Sequence, residues 1–480
     1  MTTSTEDGGA GELELPKEEM LALARRAAEQ IVEHLERLPG EPAWAGASRE
    51  ELEPLLRSPA PEEGRPPEEV LELATSRILP VSSRVGHPRY LAFVPTCPTW
   101  PGVIADFLAS GYNIFAGTWL GGSGPSFIEL VVLDWFREWV GYPETASGLF
   151  TSGGSAASLD AFVAAREAAG GPERPSVYMS DQAHSALFRA ATIVGVRREN
   201  VRMVRTDERF RLDVDALASA VARDRDRGLT PIAVCANAGA TNTGAVDPMP
   251  AIANFCEAES IWFHVDAAYG GFAVLSDEGK QLLSGIERAD SIAMDAHKWL
   301  FQPFEAGCLM VKDIRRLESA FTVNPEYLQD TRWGRDHPNF SDRGLQLTRS
   351  FRALKVWMSI QTFGLAAFRH AVSRGIELAR RAEEYATASD FLRVANPASL
   401  GVVCFRFHPR DSDLPEEELE RINERVQERV ISSGTAFISS TRLRGLYSLR
   451  LCILNHNTAW TDVLETLEAI ERFGREELDR

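Results

Sequence analysis

Lysine is scarce in this chain of 480 residues, although basic residues are not. Of the 51 lysines and arginines only five are lysines, so arginine supplies nearly all of the positive charge. A lysine placed beside other reactive side chains is therefore a candidate for chemistry that needs a free amine, which a guanidinium group does not offer. The five are Lys17, Lys280, Lys298, Lys312 and Lys355.

Paired cysteines and long apolar runs are missing. The six cysteines are scattered, with no CxxC pair and no spacing typical of metal ligands. Most of them lie in apolar runs, where cysteine behaves as a small hydrophobic residue, and this usage suits a reducing compartment. No apolar run reaches the ~20 residues of a membrane helix, and the polar N-terminus does not have the pattern of a secretory signal. We therefore expect a soluble cytoplasmic protein that binds neither a membrane nor a metal.

An excess of positive charge is also missing, because the formal net charge is -18. This charge argues against binding nucleic acid through phosphate contacts. The length exceeds that of a single hydrophobic core, so two or three structural units are expected. The sequence divides into a helical extension at 1–85, of which the first ~15 residues are rich in Thr, Ser, Gly and Glu and predicted to be disordered, a large domain at 86–370 and a small α+β domain at 371–480.

Short apolar runs alternate with helical patterns in the predicted large domain. Such alternation indicates an α/β fold with a mostly parallel sheet covered by helices on both faces. Ligands of these folds bind at the carboxyl ends of the strands. The predicted strands span residues 148–151, 176–180, 231–236, 261–265, 291–294 and 307–311.

Residues with distinct chemistry follow four of these strands. Gly154 and Ser155 begin a helix, whose free N–H groups can hold a phosphate. His184 can stack on a flat ring, Asp266 follows an apolar strand and needs a cationic partner, and Lys298 offers an amine. Taken singly, each has an ordinary explanation: a strand–helix turn, a helix-terminal histidine, a capping aspartate and a surface lysine. Together they match the one cofactor that needs all four, pyridoxal phosphate.

The motifs at these positions resemble those of a known family. Asp181-Gln-Ala-His184, His264-Val-Asp266-Ala-Ala268-Tyr-Gly and Asp295-Ala-His297-Lys298-Trp are similar to segments of the pyridoxal-phosphate-dependent group II amino-acid decarboxylases. Relatives of aromatic-L-amino-acid decarboxylase and glutamate decarboxylase belong to this family. The resemblance implies PLP fold-type I and a homodimer with active sites at the subunit interface, and an N-terminal segment wrapped on the partner.

The resemblance also implies roles for individual residues. Lys298 corresponds to the residue of the internal aldimine, Asp266 to the partner of the ring nitrogen and His184 to the stacking residue, while Ala268 lies under the ring. Asp295 stands where an asparagine is common in animal relatives, which puts its cofactor contact in question. The residues assigned to the phosphate side are Gly154, Ser155, His297 and Thr241, and Thr96 corresponds to a substrate-contacting position.

The reaction implied is decarboxylation of an L-amino acid to the amine through an external aldimine and a quinonoid. In the resembling enzymes a tyrosine of a mobile loop protonates the Cα atom, but the matching residues 328–347 contain no tyrosine. Counting back from Arg349 places Phe340 at that position. A phenylalanine there resembles plant aldehyde synthases, which decarboxylate and then use O₂ to release aldehyde, ammonia and peroxide. Otherwise His337 or a water serves as the acid.

The substrate is indicated less directly. Phe93, Val94 and Trp119, with Leu91 and Phe115, are apolar residues around Thr96, and they favour an aromatic or bulky apolar amino acid unless they belong to the ordinary core. Two remoter alternatives remain, another PLP lyase of the sphingosine-phosphate type and a non-catalytic scaffold. A scaffold has no need of a strand-end amine beside a buried acid.

Overall fold

A seven-stranded sheet forms the centre of the larger unit in the computed structural model, which describes residues 13–94, 97–323, 326, 330, 333–334 and 336–479. Its strand order is β1-β7-β6-β5-β4-β2-β3. Strands β6, β5, β4, β2 and β3 are parallel, and β7 is antiparallel to both of its neighbours. The strands are β1 (Ser147–Thr151), β2 (Pro175–Ser180), β3 (Val201–Val204), β4 (Thr230–Asn237), β5 (Trp262–Ala267), β6 (Ser291–Asp295) and β7 (Gly307–Val311).

Helices cover this sheet, and every residue of β2, β6 and β7 is buried. Continuous apolar runs are what a parallel sheet covered on both faces requires. The helices of the chain are α1 (Lys17–Arg37), α2 (Arg49–Leu56), α3 (Pro67–Leu73), α4 (Trp100–Gly111), α5 (Ser123–Val140), α6 (Gly154–Ala168), α7 (Ser185–Ile193), α8 (Val214–Asp226), α9 (Met249–Glu259), α10 (Asp277–Leu282), α11 (Ala296–Trp299), α12 (Arg315–Phe321), α13 (Ala353–Ala388), α14 (Glu416–Ser432) and α15 (Trp460–Leu478). Among the described residues no helix combines the length and apolar character needed to cross a membrane.

A four-stranded antiparallel sheet forms the smaller unit, with order β10-β11-β9-β8. Helices α14 and α15 pack on it, and α13 connects it to the larger unit. The long helix α13 has a kink at Gly364, where φ is 73°, and it runs through the boundary predicted at residue 370. The strands are β8 (Leu392–Ser399), β9 (Val402–Phe407), β10 (Ser439–Leu443) and β11 (Leu446–Cys452). The predicted fold class, a mostly parallel sheet with a small C-terminal α+β unit, is confirmed.

Two strands of the structure, β3 and β8, were not predicted from the sequence. Strand β3 is a short edge strand whose two central residues are the half-buried Arg202 and the exposed Met203, and Arg202 interrupts its apolar run. Strand β8 contains Asn396 and Pro397 and pairs with β9 through register shifts. Both depart from the regular patterns on which strand prediction depends.

Candidate active site

The amine of Lys298 lies at the carboxyl edge of the large sheet. Strand β6 ends at Asp295, and the single turn of α11 that follows brings Nζ of Lys298 to 3.0 Å from Oδ2 of Asp295. The Asp295 side chain is 3% exposed and that of Lys298 24%. Burial lowers the pKa of Lys298, but the carboxylates of Asp295 and Asp266 more than offset it, so the pKa is raised from its usual value. The pocket therefore stabilises a proton on this nitrogen.

Asp266 stands on the neighbouring strand β5. Its Oδ1 accepts a hydrogen bond of 3.2 Å from the backbone N–H of Ala268, which fixes the carboxylate. Burial raises its pKa, and the charges of Lys298 and His184 act in the opposite direction. A carboxylate in this environment is stabilised by a further cationic group, such as a protonated ring nitrogen.

The first turn of α6 forms a small cradle beside these residues. Strand β1 ends at Thr151 and α6 begins at Gly154, and no side chain of the described residues caps the helix start. A Cβ atom on Gly154 would lie 2.8 Å from Cβ of Ala268 and 3.3 Å from Oδ2 of Asp295, so only glycine fits. The exposed Ser155 lies in the same turn. Uncapped N–H groups at a helix start suit a phosphate.

Two histidines flank the group. His184 is the N-cap of α7, is exposed, and accepts a hydrogen bond of 3.2 Å at Nδ1 from the Ala186 N–H. His297 accepts one of 3.1 Å at Nδ1 from the Ala306 N–H, and its Nε2 lies 3.6 Å from Oδ2 of Asp295. Burial lowers the pKa of His297, partly countered by Asp295. The Nδ1 contacts assign the proton of each neutral ring to Nε2.

The strand order explains why these residues meet. Reading along the sheet, the residues at the carboxyl ends of β1, β6, β5, β4 and β2 are Gly154, Lys298, Asp266, Thr241 and His184. All five strands run in one direction, so their carboxyl ends form one edge. Thr241 is half-buried in the turn after β4.

These residues fit pyridoxal phosphate on two structural features. Oδ1 of Asp295 is buried and has no hydrogen-bond partner among the described residues, so a ligand group beside it would complete the site. The glycine cradle leaves a space that a side chain would fill. The donor set matches the cofactor's phosphate, its ring and its aldehyde.

Comparison with known proteins agrees with this assignment. Residues 50–408 match the family model of the pyridoxal-dependent decarboxylase conserved domain. The chain belongs to the pyridoxal-dependent decarboxylase family. It is 38% identical to the aromatic-L-amino-acid decarboxylase of Bacillus atrophaeus, with 97% of each chain covered, and 33% identical to the phenylacetaldehyde synthase of Arabidopsis thaliana, with 84% and 85% covered.

A solved structure confirms the fold of this decarboxylase. The crystal structure of Oryza sativa TDC with PLP and tryptamine superposes with a TM-score of 0.92 at 28% identity, covering 96% of this chain and 99% of that one. The protein is a pyridoxal-phosphate-dependent carboxy-lyase, as the sequence predicted, and pyridoxal phosphate is its cofactor.

The predicted substrate residues of the decarboxylase lie in different environments. Thr96 is outside the described residues. Phe93 has φ of 53° and its side chain is 61% exposed, whereas Val94 and Trp119 are half-buried. Leu91 is completely buried in the core of the small unit. The sequence left two interpretations open for it, a substrate pocket or the ordinary core, and its burial agrees with the second.

Phe340 lies in the core of the large unit. Its ring is fully buried, and the guanidinium groups of Arg343 and Arg349 lie over it at 5.2 Å and 4.9 Å. Three residues earlier, the half-buried His337 contacts Trp119 edge-to-face, with ring centroids 4.8 Å apart. That Phe340 occupies the proton-donor position remains a prediction, since the described conformation packs its ring inside the protein.

Sequence reasoning missed Arg450 on β11. It is 3% exposed, and it donates hydrogen bonds of 2.6 Å to the Phe93 carbonyl and 3.2 Å to the Asn242 carbonyl. Its Nη2 is buried without a hydrogen-bond partner, and it forms no ion pair within the described ranges. It therefore joins two segments of the site rim, the one that leads to Thr96 and the one that contains Thr241. No local pattern distinguishes it from the other arginines.

Proposed function

We propose that this decarboxylase converts an aromatic or bulky apolar L-amino acid to its amine and CO₂. The observation that carries the proposal is the amine of Lys298 among Asp295, Asp266 and the glycine cradle, since these groups match the aldehyde, ring and phosphate of one cofactor. The apolar character of Phe93 and Trp119 at the rim supports the substrate class. The aromatic-L-amino-acid decarboxylase activity named for the Bacillus atrophaeus relative supports it as well.

Each residue has a distinct task in this proposal. The bound cofactor supplies an electron sink for the pair released when the carboxylate leaves. Lys298 holds the cofactor covalently until the substrate amine replaces it, and Asp266 keeps a proton on the ring nitrogen. His184 stacks on the ring and excludes water from that face.

The test of this function is a product assay. Purified holoenzyme incubated with phenylalanine, tyrosine, tryptophan and, as an acidic counterpart, glutamate is expected to release the amine of an aromatic substrate with stoichiometric CO₂. Turnover of glutamate alone would contradict the proposed substrate class. Aldehyde and peroxide are measured in the same reactions.

We further propose that Arg450 binds the substrate's α-carboxylate. A buried guanidinium group without an anionic partner is costly, and a bound carboxylate removes that cost. Its Nη2 has no hydrogen-bond partner among the described residues, while Nη1 and Nε are fixed by the Phe93 and Asn242 carbonyls, so the side chain is already oriented. Pre-orientation of this kind places the bond to be broken without further ordering.

Arg450→Ala is expected to weaken substrate binding by roughly 10- to 100-fold, the equivalent of one charge-assisted hydrogen bond. The amine product lacks the carboxylate, so its inhibition constant should change little. The matched control is Arg444→Ala, an exposed arginine in the turn before β11. Equal weakening of substrate and amine would show that Arg450 serves the fold rather than the carboxylate.

A second candidate function is aldehyde synthesis. It is favoured by the absence of tyrosine from residues 328–347 and by the phenylacetaldehyde synthase relative. In this reaction the carbon that carries the amine is oxidised while O₂ is reduced to peroxide, and water then displaces the nitrogen as ammonia to give the aldehyde. A phenyl ring at the proton-donor position cannot protonate Cα, which leaves the carbanion open to oxidation.

Phe340→Tyr is the variant that tests the aldehyde function. If Phe340 leaves the core and stands near Cα during turnover, the added phenol raises the ratio of amine to aldehyde by about tenfold or more. Phe351→Tyr, at another buried phenylalanine of the same chain segment, controls for the cost of a buried hydroxyl. An unchanged product ratio with intact activity would exclude Phe340 from the chemistry.

We also propose that the decarboxylase is a homodimer. No residue of α1 is buried, and its side chains Met20, Leu21 and Ile31 are exposed. The accessible surface is 23737 Å², against about 18,000 Å² for a compact monomer of this size. A second protomer would cover these apolar faces, and sedimentation of the holoenzyme should give twice the mass of the chain.

A further inference from the structure

Asp295 occupies a position between the reactive amine and the phosphate cradle. Its Oδ2 lies 3.0 Å from Nζ of Lys298 and 3.6 Å from Nε2 of His297. Its Oδ1 borders the cradle, where it would lie 3.6 Å from a Cβ atom on Gly154 and 4.0 Å from one on Gly153, and it has no partner among the residues described. The carboxylate is almost fully buried, so its charge acts on these neighbours with little screening by water.

Among the residues that the structure describes, the anions that act on Nζ are the carboxylates of Asp295 and Asp266, and the other titratable neighbours are His297 and the buried thiol of Cys452. In the proposed function the charge of Asp266 is matched by the protonated ring nitrogen. Among the described residues, Asp295 is then the anion that balances a positive charge on Nζ. An anion at 3.0 Å from a nitrogen strongly favours its protonated form.

We propose that Asp295 holds a proton on Nζ of Lys298 while this nitrogen is joined to the cofactor. The inference rests on the proposed role of Lys298. A protonated C=N bond has a more electrophilic carbon, so the neutral amine of the substrate adds to it readily. The new C–N bond would form from the substrate nitrogen, one proton would pass from that nitrogen to Nζ, and the bond to Nζ would break so that Nζ leaves as a neutral amine. No electrons are gained or lost in this exchange.

The position of Oδ1 of Asp295 beside the cradle suggests a competing role for this residue, which is contact with the phosphate. A carboxylate beside a phosphate dianion repels it, unless the two share a proton. An aspartate that served the phosphate alone would change cofactor affinity on replacement and leave the proton on Nζ untouched. The two roles therefore predict different results for one isosteric variant.

The test is a pH titration of the visible absorbance of the holoenzyme, in wild type and in Asp295→Asn. Loss of the carboxylate should lower the midpoint of the spectral transition by roughly one to three pH units, the usual effect of an adjacent opposite charge. Asp290→Asn is the matched control, because this half-buried carboxylate lies directly before the N-terminal end of β6, away from Lys298, and accepts a hydrogen bond from the Phe263 N–H. Its midpoint should equal that of the wild type.

The outcomes separate this inference from the function on which it rests. A wild-type holoenzyme without a visible band would overturn the role of Lys298 itself. A band whose midpoint is unchanged in Asp295→Asn, with or without a tighter cofactor dissociation constant, would overturn the role of Asp295 alone.

A measurement on the unaltered protein tests the inference even if Asp295→Asn does not fold. Because the chain has only five lysines, ¹⁵N-lysine labelling gives at most five Nζ signals, and Lys298→Arg identifies the relevant one. The Nζ of the holoenzyme should stay protonated between about pH 6 and pH 9. Deprotonation within that range would contradict the inference.

Discussion

Replacing Lys298 with alanine is expected to abolish the visible band of the holoenzyme and to lower kcat by roughly 10²–10⁴-fold or more, the range for loss of one group that takes part directly in the chemistry. The cofactor then binds without covalent attachment. Substrate must react with the free aldehyde, and product release loses the amine that displaces it. The band is measured by absorbance, and kcat by CO₂ release.

Two further variants show whether the lost group is the amine or its charge. Lys298→Arg keeps a cation beside Asp295 but lacks a nucleophilic amine, so it should be as inactive as the alanine variant. Lys280→Ala removes an exposed lysine of α10 and should keep both band and activity. A visible band that survives in Lys298→Ala would place the attachment at another residue.

The placement of Lys298 and Asp266 could be predicted because each lies at the carboxyl end of an apolar strand. Parallel strands bring such residues to one edge without any need to know the strand order. The order was not predictable from local pattern, and neither was the antiparallel β7 between β1 and β6. The alternation of short strands and helices therefore predicts which residues lie at the carboxyl edge of the sheet. Which of them are neighbours along that edge depends on the strand order, and so on long-range pairing.

Contacts between distant segments escaped the sequence for a physical reason. Arg450 looks like any other arginine, and only its burial between the Phe93 and Asn242 carbonyls distinguishes it. Counting back from Arg349 along the loop assigns Phe340 to the proton-donor position. That count does not reveal that its ring packs in the core against Arg343 and Arg349. Side-chain burial of this kind is a property of the assembled core, and no window of neighbouring residues encodes it.

The buried pair of Glu129 and Arg349 joins three segments of the large unit. Both side chains are 0% exposed, with 2.5 Å between Oε1 of Glu129 and Nη2 of Arg349. Arg349 also donates hydrogen bonds of 2.7 Å to the Ala116 carbonyl and 2.8 Å to the Phe150 carbonyl, and Glu129 accepts one of 2.9 Å from the Phe150 N–H. Phe150 stands on β1, four residues before Gly154 of the cradle. The pair therefore supports the strand end that leads into the glycine cradle.

Arg349→Met is accordingly expected to lower the free energy of unfolding by about 3–5 kcal/mol, because it leaves the Glu129 carboxylate buried and unpaired. Adding Glu129→Leu removes that charge and should recover at least about half of the loss, although the Ala116 and Phe150 carbonyls stay without their donor. Urea unfolding of the holoenzyme measures both, and Arg315→Met, at an exposed ion pair with Asp313, should leave the midpoint unchanged. If the double variant were as unstable as Arg349→Met, the two carbonyl hydrogen bonds of Arg349 and its packing on Phe340, and not the pairing of charges, would hold these segments together.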